Sequence, residues 1–304
     1  MYDNPKYYRT TRVVRKQTTR LEEARTHLQL TSDHFSGHLQ FQLEARQSIH
    51  VGSGQLTPPR SLGLDSHYPM VKAFIRAGET LILPGSSLKG MTRSLFEAFT
   101  HACVCKTTVR WNRGERDDYG ECRYNSKRRE GNLCIACRLF GAMGYQGQVR
   151  FNDAPLVRGE RTVIEIPPQY KPEPDSELRR HYPYDMADPR NPTWPLEGVF
   201  SGTIFLAKGQ FTNLTNAELG ALLIALGQGQ WQLHPRIGAG KSSGLGGLNI
   251  VDLTVERQDI AQSYSSLESQ WQPVDIDGCI AAAASLLRTD ALNQLANDLG
   301  ERNH

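Results

Sequence analysis

The sequence predicts an α+β protein built on a ferredoxin-like core, and three observations predict it. Short segments alternate in the order strand, helix, strand, strand, helix, strand, the split βαβ pattern. The strand segments repeat every two residues and the helical ones every three to four. Two long stretches, one rich in cysteine and one in proline, interrupt the order and read as insertions.

The elements follow in chain order. Residues 38–47 place Leu39, Phe41, Leu43 and Ala45 on one face, the pattern of a half-buried strand. A glycine-rich turn, Val51 to Gly54, follows, and residues 55–79, punctuated by Pro58, Pro59, Gly63 and Pro69, read as a long loop. Leu81-Ile82-Leu83 forms a short strand. Ser86 or Ser87 is then placed to cap a helix carrying Leu88, Met91, Leu95, Phe99 and Ala102. Gln148 to Phe151 and Val199 to Phe211 read as strands. Thr215 and Glu218 form a capping box, Leu219, Leu222, Leu223 and Leu226 the stripe behind it, and Gly227 the stop. Residues 248–256 form the last strand, and Asp277 to Gly300 is helical with Leu287, Leu292, Leu295 and Leu299 as anchors.

Three regions emerge: a basic arm over 1–30, a core over 31–256, and a C-terminal helical segment over 257–304. The arm carries seven basic against three acidic residues, a pattern that suits either a phosphate-contacting arm or a solvated tail. Within the core, 101–141 reads as a zinc insertion and 152–198 as a proline-rich insertion; eight of sixteen prolines fall in 166–195. A formal net charge of +3 announces no nucleic acid by itself. No apolar run of membrane-spanning length is present, and Met1 to Arg25 lacks the apolar stretch of a signal peptide, so a cytoplasmic protein is expected.

Cys103, Cys105, Cys122, Cys134 and Cys137 lie within 35 residues, with a C-x-C pair and a C-x-x-C pair at the ends of a polar, arginine-rich segment. Zn²⁺ takes four soft ligands, and paired short spacings deliver two from each end. Five cysteines, with His101 as a further donor, compete for four positions. The lone Cys279 reads as a small buried hydrophobe. Gly238-Ala239-Gly240-Lys241-Ser242 invites comparison with a P-loop, but Pro235 stands where the first glycine belongs and glycines follow in place of a helix. Its exposed N–H groups and one Lys still suit an anion.

Three segments together resemble the RAMP (repeat-associated mysterious protein) superfamily. Pro84-Gly85-Ser86-Ser87-Leu88-Lys89-Gly90-Met91-Thr92-Arg93 is similar to the start of the first helix in its backbone subunits. Cys134-Ile135-Ala136-Cys137-Arg138-Leu139-Phe140-Gly141 resembles the end of their zinc-binding insertion. Ile237 to Gly246 resembles their C-terminal glycine-rich loop. The resemblance spans residues 38–256. It implies a modified, RRM-like version of the ferredoxin fold and a subunit that stacks along CRISPR RNA in a type III effector complex, a ribonucleoprotein of antiviral defence. The proline-rich stretch would stand where relatives carry a hairpin that kinks the guide.

The resemblance also implies RNA contacts by Ser86, Ser87, Lys89, Arg93, Gly238, Gly240, Lys241 and Ser242. Lys89 and Arg93, four apart, share one helix face near an N-terminus that attracts phosphate. In many relatives an Asp in the loop after the first strand cuts target RNA with Mg²⁺ or another divalent metal, and Asp65 occupies the similar loop, with His50 and His67 nearby in sequence. Asp65 equally fits a plain Asx turn. The sequence therefore supports an RNA-binding subunit, either endoribonuclease or silent scaffold, with target RNA and other effector subunits as partners. A stand-alone zinc protein that binds protein partners is the remaining reading.

Overall fold

The structure, a computed structural model, describes residues 9–20, 30–31, 33–104, 111–128, 130–167, 178–182, 194–266 and 270–299. In chain order the elements are β1 (Arg9–Arg12), β2 (Thr18–Arg20), β3 (Phe35–Ala45), β4 (Gly52–Thr57), β5 (Val71–Phe74), β6 (Arg76–Ala77), β7 (Thr80–Leu83) and α1 (Gly85–Ala98). There follow α2 (Arg113–Tyr119), β8 (Asn132–Cys134), α3 (Ile135–Phe140), β9 (Val149–Phe151), β10 (Ala154–Arg158), β11 (Arg161–Ile166), β12 (Leu178–His181), β13 (Trp194–Val199), β14 (Ile204–Leu214) and α4 (Asn216–Ala225). The chain closes with β15 (Leu248–Gln258), α5 (Ile260–Ser265), β16 (Trp271–Pro273), α6 (Ile276–Ala282) and α7 (Thr289–Leu299).

The main sheet runs β16-β15-β3-β14-β10-β7-β6, with β9 also on β14. Its pairings are antiparallel. Its centre, β3, α1, β9 with β10, β14, α4 and β15, gives a mixed α+β arrangement compatible with the ferredoxin-like expectation. The period of two in β3 explains its place: Leu39, Phe41 and Leu43 are buried while His38, Gln40 and Gln42 are only half-buried. The apolar faces of β3, β14, α1 and α4 join one core cluster. A second sheet, β11-β13-β5-β4, contains one parallel pairing, β13 with β5. No helix among the described residues is long and apolar enough to cross a membrane.

Several local expectations change. The turn at Val51 to Gly54 and part of the long loop are strands β4 and β5, whose pairing is irregular between Gly52 and Leu56. The strand expected over 199–211 is two, because the chain turns at Ser201-Gly202, where Gly202 has φ +79°, and leaves Phe200 exposed. Neither Ser86 nor Ser87 caps α1. Pro84 holds the N-cap position, and the Gly85 N–H donates to Asp153 Oδ1 at 2.8 Å instead. The helix expected over Asp277 to Gly300 is two helices joined by a 3₁₀ turn, with Leu292, Leu295 and Leu299 buried, and the segment before it adds α5 and β16. β10 belongs to the main sheet, although the proline-rich insertion was expected to begin at 152. Most of 166–195 lies outside the described residues.

The capping box at Thr215 and Glu218 forms as expected, with Gly227 at φ +78° just past the helix. Yet α4 is buried on every side, where a stripe was expected, because α6 covers its outer face. Gly220 permits that approach: a Cβ there would lie 1.8 Å from the Cys279 carbonyl oxygen. Gly220→Ala should therefore cost about 1–3 kcal/mol of stability by overpacking, seen as a lower urea midpoint at unchanged slope. Gly90→Ala, with nothing within 4 Å of the new methyl, is the matched control and should not destabilise.

Candidate nucleic-acid interface and metal cluster

Four of the clustered cysteines come together. The Sγ atoms of Cys103, Cys122, Cys134 and Cys137 all lie within 4.8 Å of one another, and all four residues are buried. Cys105 lies outside the described residues. Sequence spacing left five candidates for four places; the fold supplies Cys103 from the chain after α1, Cys122 after α2, Cys134 at the end of β8 and Cys137 in α3. The Cys103 N–H points at Cys134 Sγ and the Cys134 N–H at Cys122 Sγ, each at 3.4 Å. Arg93 Nη2 lies 3.3 Å from Cys137 Sγ. Four buried sulfurs with N–H donors aimed at them fit a thiolate-bound metal such as zinc, whose charge those donors offset. The thiols share protons: Cys134, receiving hydrogen bonds from the Cys103, Cys122 and Cys137 thiols, is pushed down, and Cys103 is pushed up.

On the other side of α1 lies a cavity of about 560 Å³, bounded by that helix, the end of β12 and the glycine-rich loop. Ser87, Gly90 and Ser94 face it from α1, Arg180 and His181 from β12, and Arg236, Gly238 and Lys241 from the loop. The described residues lining it include no carboxylate. Lys241 is pushed down by burial and then by the neighbouring Arg236, so its charge is poorly solvated. Arg236 is held in place by donating from Nη1 to the carbonyls of Tyr182 (3.0 Å) and Lys241 (3.2 Å) and from Nη2 to Gln47 Oε1. The loop itself is a 3₁₀ turn, Lys241–Ser243, between left-handed Gly240 and Gly244, with no long helix following. Gly238, at φ +81°, rests on the His50 carbonyl, which accepts from Ala239 N at 3.0 Å.

The motif residues on α1 divide between two surroundings. Successive helix residues turn by about 100°, so Ser87 and Lys89 point to different sides. Lys89, half-buried, is pushed down by burial, then by Arg93 and by Arg150. Arg93 does not line the cavity. Its guanidinium is engaged by Glu97 Oε1 at 2.6 Å, the Gly141 carbonyl at 2.7 Å and Cys137 Sγ. Ser86 is exposed at the first turn, and Gly240 and Ser242 stay within the loop.

Asp65 is exposed in the loop before β5, and no described group of three metal-ligating side chains includes it. His67 stacks on Tyr68 at 4.1 Å. His50 is a core residue, 2% exposed, whose Nδ1 bonds the Glu197 carbonyl at 2.6 Å, and burial pushes its pKa down. The described part of the basic arm is committed to structure as well. β1 pairs with β12, β2 with β8, Arg15 with Asp118 at 2.8 Å, and Lys16 Nζ donates to the Gly120 carbonyl at 2.7 Å.

Arg180, His181, His234 and Arg236 were not legible as site residues. Arg236 abuts the glycine-rich loop, which is a usable signal. Arg180 and His181 join through the pairing of β12 with β1, 170 residues away for Thr11 and His181.

Among family models, one described as RAMP superfamily matches residues 42–249. Comparison with curated proteins finds no match. Among solved structures, the chain is similar to one in a cryo-EM structure of the Type III-B Cmr-beta bound to cognate target RNA, at 15% identity and a TM-score of 0.41. That similarity covers 73% of this chain, which spans 61% of the other.

His181, buried and bonded to Thr11 Oγ1 at 2.8 Å, is pushed down to about 4 by burial and by Arg179. A histidine that resists protonation when folded leaves the unfolded chain binding the extra proton between about pH 6.5 and 4. Stability is therefore intact above about 6.5 and should fall towards pH 4 by about 1.4 kcal/mol per unit. Urea melts of His181→Gln across this window should show a slope shallower by about one proton.

Proposed function

We propose that this chain, which belongs to the RAMP superfamily, is a CRISPR RNA-binding backbone subunit of a type III effector complex, holding the guide's phosphates in the cavity beside α1. The observation that carries the reading is the cavity wall: Arg180, Arg236 and Lys241 converge, Lys241 is partly desolvated, and no described lining residue carries a negative charge. Such a wall attracts a polyanion and reads its backbone, since phosphates carry no base information. The left-handed glycines of the loop let backbone approach closely, and Ser87 and Ser94 add hydroxyl donors. The three motifs quoted above support the narrower assignment to a type III backbone subunit, with target RNA and neighbouring effector subunits as partners.

Zinc in the four-cysteine cluster serves structure in this reading. Held by Cys103, Cys122, Cys134 and Cys137, it would tie α2, which buries no residue of its own, to the core-packed β8 and α3. Lys89, next to Arg93 and Arg150, extends the basic surface along α1. Arg93 is reassigned from phosphate contact to the brace described below.

The direct test is RNA affinity against salt. Lys241→Ala should weaken binding of single-stranded RNAs of different sequence alike and lower the log–log salt slope by about 0.7 for each phosphate that the variant no longer neutralises. An unchanged slope, or a weakening confined to one RNA sequence, would sink the placement.

Cleavage rests on Asp65. As a member of the assembled complex with Mg²⁺, Asp65→Asn keeps the size and turn-forming ability and removes the charge. If this subunit cuts, one product of guide-paired target RNA disappears while target binding and cuts by other subunits persist. An unaltered product ladder assigns the chain to the silent scaffold.

A further inference from the structure

Two sites lie on opposite sides of α1, and a buried chain of charges joins them. Glu97, near the end of that helix, is 4% exposed and has both carboxylate oxygens engaged. Oε1 accepts from Arg93 Nε at 2.6 Å and Oε2 pairs with Arg179 Nη1 at 2.8 Å. Each arginine then uses its remaining nitrogens on the cysteine cluster. Arg93 reaches Cys137 Sγ at 3.3 Å and the Gly141 carbonyl at 2.7 Å; Arg179 reaches the Cys103 carbonyl at 3.1 Å. The two residues after Arg179, Arg180 and His181, are cavity wall, and the Tyr182 carbonyl holds Arg236.

We propose that Arg93, Glu97 and Arg179 are positioning residues that couple metal occupancy of the cysteine cluster to RNA binding in the cavity; the proposal rests on the RNA-binding reading above. Among the described residues β12 pairs with β1 alone. A two-stranded ribbon is marginal by itself, so the cavity wall depends on what else anchors it. Gln294 and Arg288 hold the β1 side through the Thr10 and Arg12 carbonyls, and Arg179 holds the β12 side towards the cluster, on the Cys103 carbonyl and on Glu97, which shares its charge with Arg93 beside Cys137. Four thiolates around Zn²⁺ carry a net negative charge, which buried arginine offsets. Without a metal to hold the sulfurs together, Cys137 and Cys103 lose the fixed positions on which Arg93 and Arg179 are seated. Arg179 then keeps Glu97 but loses a fixed Cys103 carbonyl, and Arg180 and His181 loosen against the loop.

Coupling of this kind is reciprocal, because it is a free energy shared by two binding equilibria. The experiment uses the full chain loaded with one Co²⁺, checked by elemental analysis, and an oligouridylate as probe. Chelator competition gives cobalt affinity with and without RNA, and fluorescence anisotropy gives RNA affinity with and without metal. Both ratios should be equal and at least about five-fold. In Glu97→Gln, which leaves two arginines without their shared anion, both should collapse towards one, with the loaded variant binding RNA like the metal-free wild type. Arg93→Lys keeps a charge for Glu97 but loses the fork, so the thiolate-to-cobalt absorption should move to lower energy, a shift that a general packing defect would not produce.

Equal RNA affinity in both metal states of the wild type overturns the coupling and leaves RNA binding standing. Failure to bind oligouridylate in either state removes the RNA reading and the coupling with it. Coupling that survives in folded Glu97→Gln overturns the bridge as its carrier. If the metal-free chain proves unfolded by circular dichroism, the loaded variants decide: wild-type RNA affinity in both overturns the proposal.

Discussion

Helix α1 works as a partition, and one close approach sets it in place. A Cβ at Gly85 would sit 2.1 Å from the Phe151 carbonyl oxygen, so only glycine lets the first turn lie against the backbone between β9 and β10. The Gly85 N–H then finds Asp153, which does the capping that Pro84 cannot. With its start pinned to the sheet, the helix runs between cavity and cluster. Leu88, Leu95 and Phe96 bury against the core, Ser87 and Ser94 face the cavity, and Arg93 faces the cysteines. A side chain at position 85 would lift the whole helix and part all three surfaces together.

The charge distribution follows the same division. Overall the chain is nearly balanced at +3, and many of its cations are spent internally. Arg76 answers Glu197, Arg138 answers Glu218, and Arg93 and Arg179 answer Glu97. These carboxylates are buried, so each pair is costly to break on one side only, by about 3–5 kcal/mol. Lys241 and Lys89 are placed differently, each depressed by burial and by neighbouring cations. The basic character on which the proposed RNA contact rests is thus a local property of one loop, the end of β12 and one helix face, invisible in the net charge.

The N-terminal residues show how the same composition can serve a different end. Seven basic residues in the first thirty suited a phosphate arm as well as a tail. In the fold, residues 9–20 form a belt that pairs with β12 at one end and β8 at the other, and the Lys16 ammonium caps carbonyls at the end of α2. The belt therefore touches both the strand that lines the cavity and the strand that ends in Cys134.

What the sequence determined by itself was whatever is local or periodic. The two-residue period of β3, the capping box of α4 and the helical stripe of α1 can be read because neighbours along the chain create them. The cysteine spacing showed a thiolate site for the same reason, and the order of three motifs pointed to the family. The tertiary structure alone brought Cys122 to Cys103, Cys134 and Cys137, because it reaches them only by the path of the insertion. It decided that Arg93 lies against Cys137 and the Gly141 carbonyl, and that Arg179 shares its partner Glu97 from another segment. It also put Arg180 and His181 into the cavity wall through pairing with a strand some 170 residues earlier. Such contacts depend on which distant segments the buried core brings together, and no spacing along the chain records that.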